Sequence, residues 1–166
     1  MTVCTTIDSP LGELLLVGEK SATARGGTAL ASLSMPCQKH GAVVQDDWVE
    51  DGDAFAEIAS QLRSYFDGTL TRFDIEYVTR GSDFQQRVWK ALETIPYGTT
   101  TSYGEIAARI GASRAAVRAV GTAIGANPLL LVRPCHRVIG ASGALTGYAA
   151  GLERKRQLLD LESVGA

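Results

Sequence analysis

The residues best equipped for chemistry stand side by side: Cys135 and His136, in the stretch Pro134-Cys135-His136-Arg137 that follows the apolar run Leu129-Leu130-Leu131-Val132. A thiol is a weak nucleophile until it becomes thiolate, and an imidazole base with nearby cationic groups lowers that barrier. On an extended segment adjacent side chains point to opposite faces, so His136 reaches Cys135 only across a bend or through a water. As a metal site the pair is thin, because His40 is the only other histidine and no second cysteine stands at zinc-binding spacing. A buried structural cysteine is the bland alternative. On the last helix the spacing places Leu152, Leu159 and Glu162 on one face, which turns Glu162 inward. A half-buried carboxylate needs a partner, and a histidine suits it. Cys135, His136 and Glu162 then read as nucleophile, base and orienting acid.

Elements must bring these residues together. Ile139 to Gly143 is a turn-forming run, and Leu145 to Gly151 is a flexible loop whose one aromatic, Tyr148, can cover a flat ring. Upstream, Ser82 is placed to cap a helix bearing Phe84, Val88 and Leu92 on one face. Ser102 precedes a second stripe, Tyr103, Ile106, Ala107 and Ile110, closed by Gly111. Val117, Val120 and Ile124 line a third helix, so the two short helices around a glycine turn form a helix-turn-helix candidate. The face opposite Val117 and Val120 carries Ala115, Arg118, Ala119 and Thr122, one long cation among very small side chains. Such a face lets a partner approach closely, and in a minor groove its arginine could fill the space of a displaced base. The plainer reading is a good helix former with a solvated arginine.

The N-terminal half predicts strands at Leu14–Val17 and at Phe73, Ile75 and Tyr77. Between them Phe55, Ile58, Ala59, Leu62, Tyr65 and Phe66 recur at helical spacing and stop at Gly68. The segment from Glu19 to Gly52 shows no clear period. The fold class expected is an α/β N-terminal domain, a small sheet with flanking helices, over residues 1–80. A mostly helical C-terminal domain with a helix-turn-helix is expected over 81–166. Charge divides along the same line: residues 1–82 hold twelve acidic against six basic side chains, and residues 83–166 hold six against ten. No carboxylate occurs from Ile106 through Leu152, which carries Arg109, Arg114, Arg118, Arg133 and Arg137. That surface would attract a polyanion. No stretch is long and apolar enough for a membrane span, the N-terminus lacks a signal-peptide pattern, and three unpatterned cysteines favour a reducing compartment. A cytoplasmic location is expected.

The string RPCHRVIGASGALTGYAAGLERKRQLLDLE resembles the active-site and C-terminal region of the O6-alkylguanine-DNA alkyltransferases, the methylated-DNA–protein-cysteine methyltransferases. The similarity extends through Phe84 to Trp89, IPYGTTTSYGEIAARIG, Arg118 to Gly121 and Asn127-Pro128, and more faintly to IDSPLGELLLVG. The resemblance implies irreversible, single-use transfer of an alkyl group, mainly methyl, from O6-alkylguanine in double-stranded DNA onto Cys135. In that scheme His136 takes the thiol proton through a water, Glu162 orients His136, Asn127 braces the turn, and Tyr103 donates a hydrogen bond to the guanine. Val138, Tyr148, Ala149 and Ala150 line the pocket. Arg118 takes the place of the flipped nucleotide in the minor groove, with Arg114, Ala116, Val117, Ala119, Gly121 and Phe84 at the DNA. No cofactor, metal or membrane is implied, and a monomer is expected, with cooperative assembly on DNA left open.

The chain departs from that pattern at three places. Arg133 replaces an aliphatic residue and must find a carboxylate, snorkel or lie at a strand end. The segment Gly111 to Arg118 is one residue longer, so either the turn differs or the helix begins later. Ala150 replaces a glycine, which is expected to narrow the pocket against bulky adducts. Cys4, Cys37 and His40 do not match a zinc arrangement. A base-reading transcription factor would not need Cys135, an alkyltransferase-like lesion binder lacks the reactive cysteine, and a cysteine hydrolase gives the basic surface no purpose.

Overall fold

The computed structural model describes residues 1–39 and 41–165. Strands β1 (Thr2–Ile7), β2 (Leu14–Lys20), β3 (Thr28–Ser34) and β4 (Val49–Glu50) form one sheet in the order β3-β2-β1-β4. The first three are antiparallel, and β4 joins β1 in parallel. A register shift lies between Val17 and Gly18, where a Cβ on Gly18 would sit 2.5 Å from the Ala29 carbonyl oxygen. Only glycine allows that approach. Helix α1 (Ala56–Phe66) follows a 3-10 turn and lays Ile58, Leu62 and Tyr65 into the core.

The helical half begins with α2 (Asp83–Leu92), where Ser82 and Gln85 form a reciprocal capping box. Strand β5 (Thr101–Ser102) leads into α3 (Tyr103–Arg109), capped by the Ser102 hydroxyl. Gly111, at φ +71°, turns the chain in a conformation that favours glycine. A 3-10 turn at Arg114–Ala116 then precedes α4 (Val117–Gly125). Strand β6 (Val138–Ile139) pairs with β5, and α5 (Leu152–Gly165) ends the fold. No described helix is long and apolar enough to cross a membrane.

Four expectations need correction. Residues 73–77 form no strand: Tyr77 makes an isolated bridge to Leu30, whose N–H and C=O bond Glu76 and Val78. The irregular segment from Glu19 supplies β3, an edge strand of the sheet. On α5 the inward face is Lys155, Leu158 and Glu162, while Leu152 is half exposed. The run Leu129–Val132 is a turn, with Leu131 at φ +71°, and not a buried strand.

The two halves share one core. Leu33 donates its N–H to Pro128 and accepts from the Leu130 N–H, while the buried Trp89 indole donates to the Ala123 carbonyl within the helical half.

Candidate active site

Asn127 shapes the turn. Buried after α4, it donates its side-chain amide to the carbonyls of Leu129 and Arg133 at 3.2 Å each and accepts from the Leu129 N–H at 3.0 Å. These bonds hold Leu131 in its left-handed conformation, which costs an unsupported residue about 1 kcal/mol or more. The chain therefore doubles back and enters a 3-10 turn, Cys135–Arg137, instead of an extended segment. Cys135 and His136 thus both lie on this turn.

Arg133 is 3% exposed, and its surroundings account for a cation in this turn. It faces Glu93 at 3.4 Å, donates to Asn127 Oδ1 and Thr79, and lies over the rings of Tyr77 and Trp89 at 5.5 and 5.1 Å. A carboxylate, two hydrogen bonds and two aromatic faces replace most of the hydration it gives up.

His136 is fully buried and its Nε2 lies 2.7 Å from Glu162 Oε2. Arg137 forks onto the same carboxylate, Nε to Oε1 at 2.8 Å and Nη2 to Oε2 at 2.9 Å, and donates from Nη1 to the Ile95 carbonyl. From the sheet half, the Tyr65 hydroxyl donates to Glu162 Oε2 at 2.6 Å. Burial would raise the Glu162 pKa, but hydrogen bonds from His136, Arg137 and Tyr65 outweigh it and hold the carboxyl ionised, well below the usual range. An ionised carboxylate only accepts, so His136 Nε2 carries the hydrogen. Burial lowers the imidazole pKa, with the nearby Arg137 and Lys155 charges acting the same way against Glu162. The neutral ring then presents a lone pair at Nδ1, an atom buried without a hydrogen-bond partner among the described residues. A neutral imidazole with a free Nδ1 lone pair is able to accept a proton.

Cys135 is 4% exposed and lines a cavity of about 420 Å³ together with Tyr103, Gly121, Thr122, Tyr148 and Ala149. Burial pushes its thiol up to about 11, offset in part by the Asn127 amide, Lys155 and Arg133. Lys155 is wholly buried, and its ammonium donates to the carbonyls of Thr146 at 2.6 Å and Gly147 at 3.2 Å. It thereby pins the loop that carries Tyr148. Burial lowers the Lys155 pKa to about 8. Tyr103 donates to the Thr146 carbonyl at 3.0 Å. Val138 and Ala150 are buried and lie outside the cavity lining, so Ala150 does not narrow it directly.

The helix-turn-helix stands at the cavity mouth, since Gly121 and Thr122 of α4 belong to its lining. Arg114, Arg118 and Ala119 are exposed, and Arg118 makes no ion pair among the described residues. Ala116 and Val117 are half-buried, and Phe84 on α2 packs against the core. Among the described residues no metal-binding cluster forms; Cys4 is buried, Cys37 is exposed, and His40 lies outside the described residues. Sequence reasoning missed Tyr65, Arg137 and Lys155. Arg137 was adjacent to the pair, but nothing in one sequence joins Tyr65 to a carboxylate 97 positions away.

Comparison with known proteins agrees across both halves. A family model described as 6-O-methylguanine DNA methyltransferase, DNA binding domain, matches residues 83–164, and its ribonuclease-like domain counterpart matches residues 2–78. The chain is 55% identical over 157 residues to a Mycobacterium bovis methylated-DNA–protein-cysteine methyltransferase, covering 95% of this chain and 90% of that one. A Methanosarcina acetivorans protein of the same name is 46% identical over 155 residues, covering 93% and 94%. The crystal structure of Mycobacterium tuberculosis OGT in complex with DNA superposes with a TM-score of 0.88 at 53% identity, covering 99% and 94%.

Proposed function

The chain belongs to the O6-methylguanine DNA methyltransferase family, and we propose that Cys135 is the residue on which it carries out the family's reaction. The protein repairs DNA by moving a methyl group from the damaged base to one of its own cysteines. The observation that carries the assignment is the buried His136–Glu162 pair, held by the Arg137 fork and adjacent in sequence to Cys135, which lines a cavity large enough to admit a base.

As His136 Nδ1 takes the thiol proton, directly or through one water, the sulfur lone pair attacks the methyl carbon. The S–C bond forms as the C–O6 bond breaks, and the departing electron pair settles on the guanine. A donor is needed there for the base to leave neutral, and Tyr103, at the cavity wall, is suited to supply it. The thioether has no leaving group to return, so each molecule acts once. Tyr148 and Ala149 cover the base.

A cysteine this deep cannot reach a base inside a duplex, so the nucleotide must swing out of the stack. The Ala-rich exposed side of α4 suits close approach to a minor groove, where Arg118 would occupy the vacated space and Arg114 would meet phosphate. In this reading residues 81–166 bind DNA and accept the alkyl group, residues 1–80 support them, and the protein acts as a cytoplasmic monomer. The test is peptide mass spectrometry after mixing with a duplex carrying one O6-methylguanine, beside an undamaged duplex. One methylene on the Cys135 peptide, stoichiometric and with guanine restored, is the expected result. Binding without modification would move the protein to lesion recognition.

A further inference from the structure

We propose that Tyr65, a residue of the sheet half, is a positioning residue for alkyl transfer, its phenol holding the carboxylate that orients His136. The inference rests on the reading of Glu162 as part of the proton relay from Cys135.

Tyr65 is wholly buried on α1, with its ring edge-on to Phe66 and Tyr97 and against Phe73. Packing alone would be served as well by phenylalanine, because a buried hydroxyl is costly unless bonded. Among the described residues this hydroxyl has one partner, Glu162 Oε2 at 2.6 Å, the same oxygen that His136 Nε2 reaches at 2.7 Å. Burial, and the Glu162 charge beside it, keep the phenol protonated far above neutral pH, so it remains a donor throughout the working range. Oε2 therefore accepts from Tyr65, His136 and Arg137, while Oε1 accepts from Arg137. The phenol draws electron density from the oxygen that His136 shares. It also ties that oxygen to α1 of the sheet half.

The titratable and charged groups facing the His136–Glu162 pair are Tyr65 from α1, Tyr97 from the loop after α2, Cys135 and Arg137 from the turn, Tyr148 from its loop and Lys155 from α5. Replacing Tyr65 by phenylalanine changes none of their charges. Any shift in the base is then due to the lost hydrogen bond. Without that bond Glu162 Oε2 holds the imidazolium more strongly, so His136 protonates more readily and fewer molecules carry a free base at a given pH.

The experiment is single-turnover transfer from an O6-methylguanine duplex, followed against pH in the whole protein. In Tyr65→Phe we expect transfer about three- to tenfold slower near neutrality, with the acid limb moved up by about half a pH unit and affinity for undamaged duplex unchanged. A fluorinated tyrosine introduced at position 65 keeps the ring and donates more strongly, and should move the limb the other way. An unmoved limb in both proteins, whether rates hold or fall evenly at all pH, overturns the proposal. Glu162→Gln is the control, expected to slow transfer strongly with DNA affinity nearly intact. If that variant transfers at the wild-type rate, the reading of Glu162 falls and this inference with it. A slow Glu162→Gln beside an unaltered Tyr65→Phe overturns the inference alone.

Discussion

A thiol held at about 11 is ionised in only about one molecule in ten thousand at pH 7, so the site does not keep a standing thiolate. In the proposed reaction the buried thiol stays protonated until His136 removes its proton as the substrate arrives. The Lys155 cation eases that step in two ways: it favours sulfur anion, and it pins the carbonyls of Thr146 and Gly147 so that Tyr148 stays over the cavity. Replacing it with methionine keeps the volume and removes both effects. Lys155→Met should slow single-turnover transfer by about tenfold. The pH dependence has a definite sign. Burial lowers the Lys155 pKa to about 8, so the ammonium is present below that value and lost above it. Wild-type transfer should therefore lose part of its rate as pH rises through about 8, and Lys155→Met should lack that loss. A rate–pH profile with the same alkaline behaviour in both proteins would remove Lys155 from the chemistry.

At the scale of elements, α4 in the proposed reading separates binding from stability. Its inner side, Val120, Ala123 and Ile124, is buried, whereas Arg118 and Ala119 are exposed and Arg118 makes no ion pair among the described residues. Ala119→Leu should leave thermal stability within about 0.5 kcal/mol, since an exposed leucine is a good helix former. It should weaken binding to undamaged duplex by tenfold or more, because the added bulk holds the backbone away from the groove. Equal affinity in a titration would place the DNA elsewhere. The helices were legible for the reason that makes this separation clean: one-sided burial writes a period of 3.6 into the sequence, with Ser82, Ser102 and Gly111 marking ends. The sheet was less so. In β3, Thr28–Ser34, small and polar residues are buried along with the leucines, because the strand runs between β2 and the Pro128 turn and loses the alternation of a half-exposed strand. Phe73, Ile75 and Tyr77 do alternate, yet only Tyr77 bridges to β3. Alternation records which side is buried, and says nothing about whether a partner runs alongside.

Across the whole molecule, the site is the place where the halves are joined. Glu162 from the last helix takes hydrogen bonds from the helical half through His136 and Arg137 and from the sheet half through Tyr65. The Leu33 and Pro128 backbone bond closes the other side of the seam. Cys135, His136 and Glu162 stand out in the sequence as candidates because of their side-chain types, whereas Tyr65 looked like one more apolar position of α1. Such a seam should make unfolding cooperative across both halves. The two tryptophans report on them separately, Trp48 beside β4 and the buried Trp89 on α2. In variants that keep one tryptophan each, urea transitions followed by fluorescence should coincide at neutral pH. Acid supplies the second arm. The Glu162 pKa lies below its ordinary value of 4.5, so the folded state binds fewer protons between 4.5 and about 2. The stability it contributes is complete above that window and is lost as pH falls through it. Both midpoints should therefore move to lower urea together as the solution is acidified. If the Trp89 midpoint fell while the Trp48 midpoint stayed, the carboxylate would be supporting the helical half alone, and the bond from Tyr65 would carry no stability between the halves.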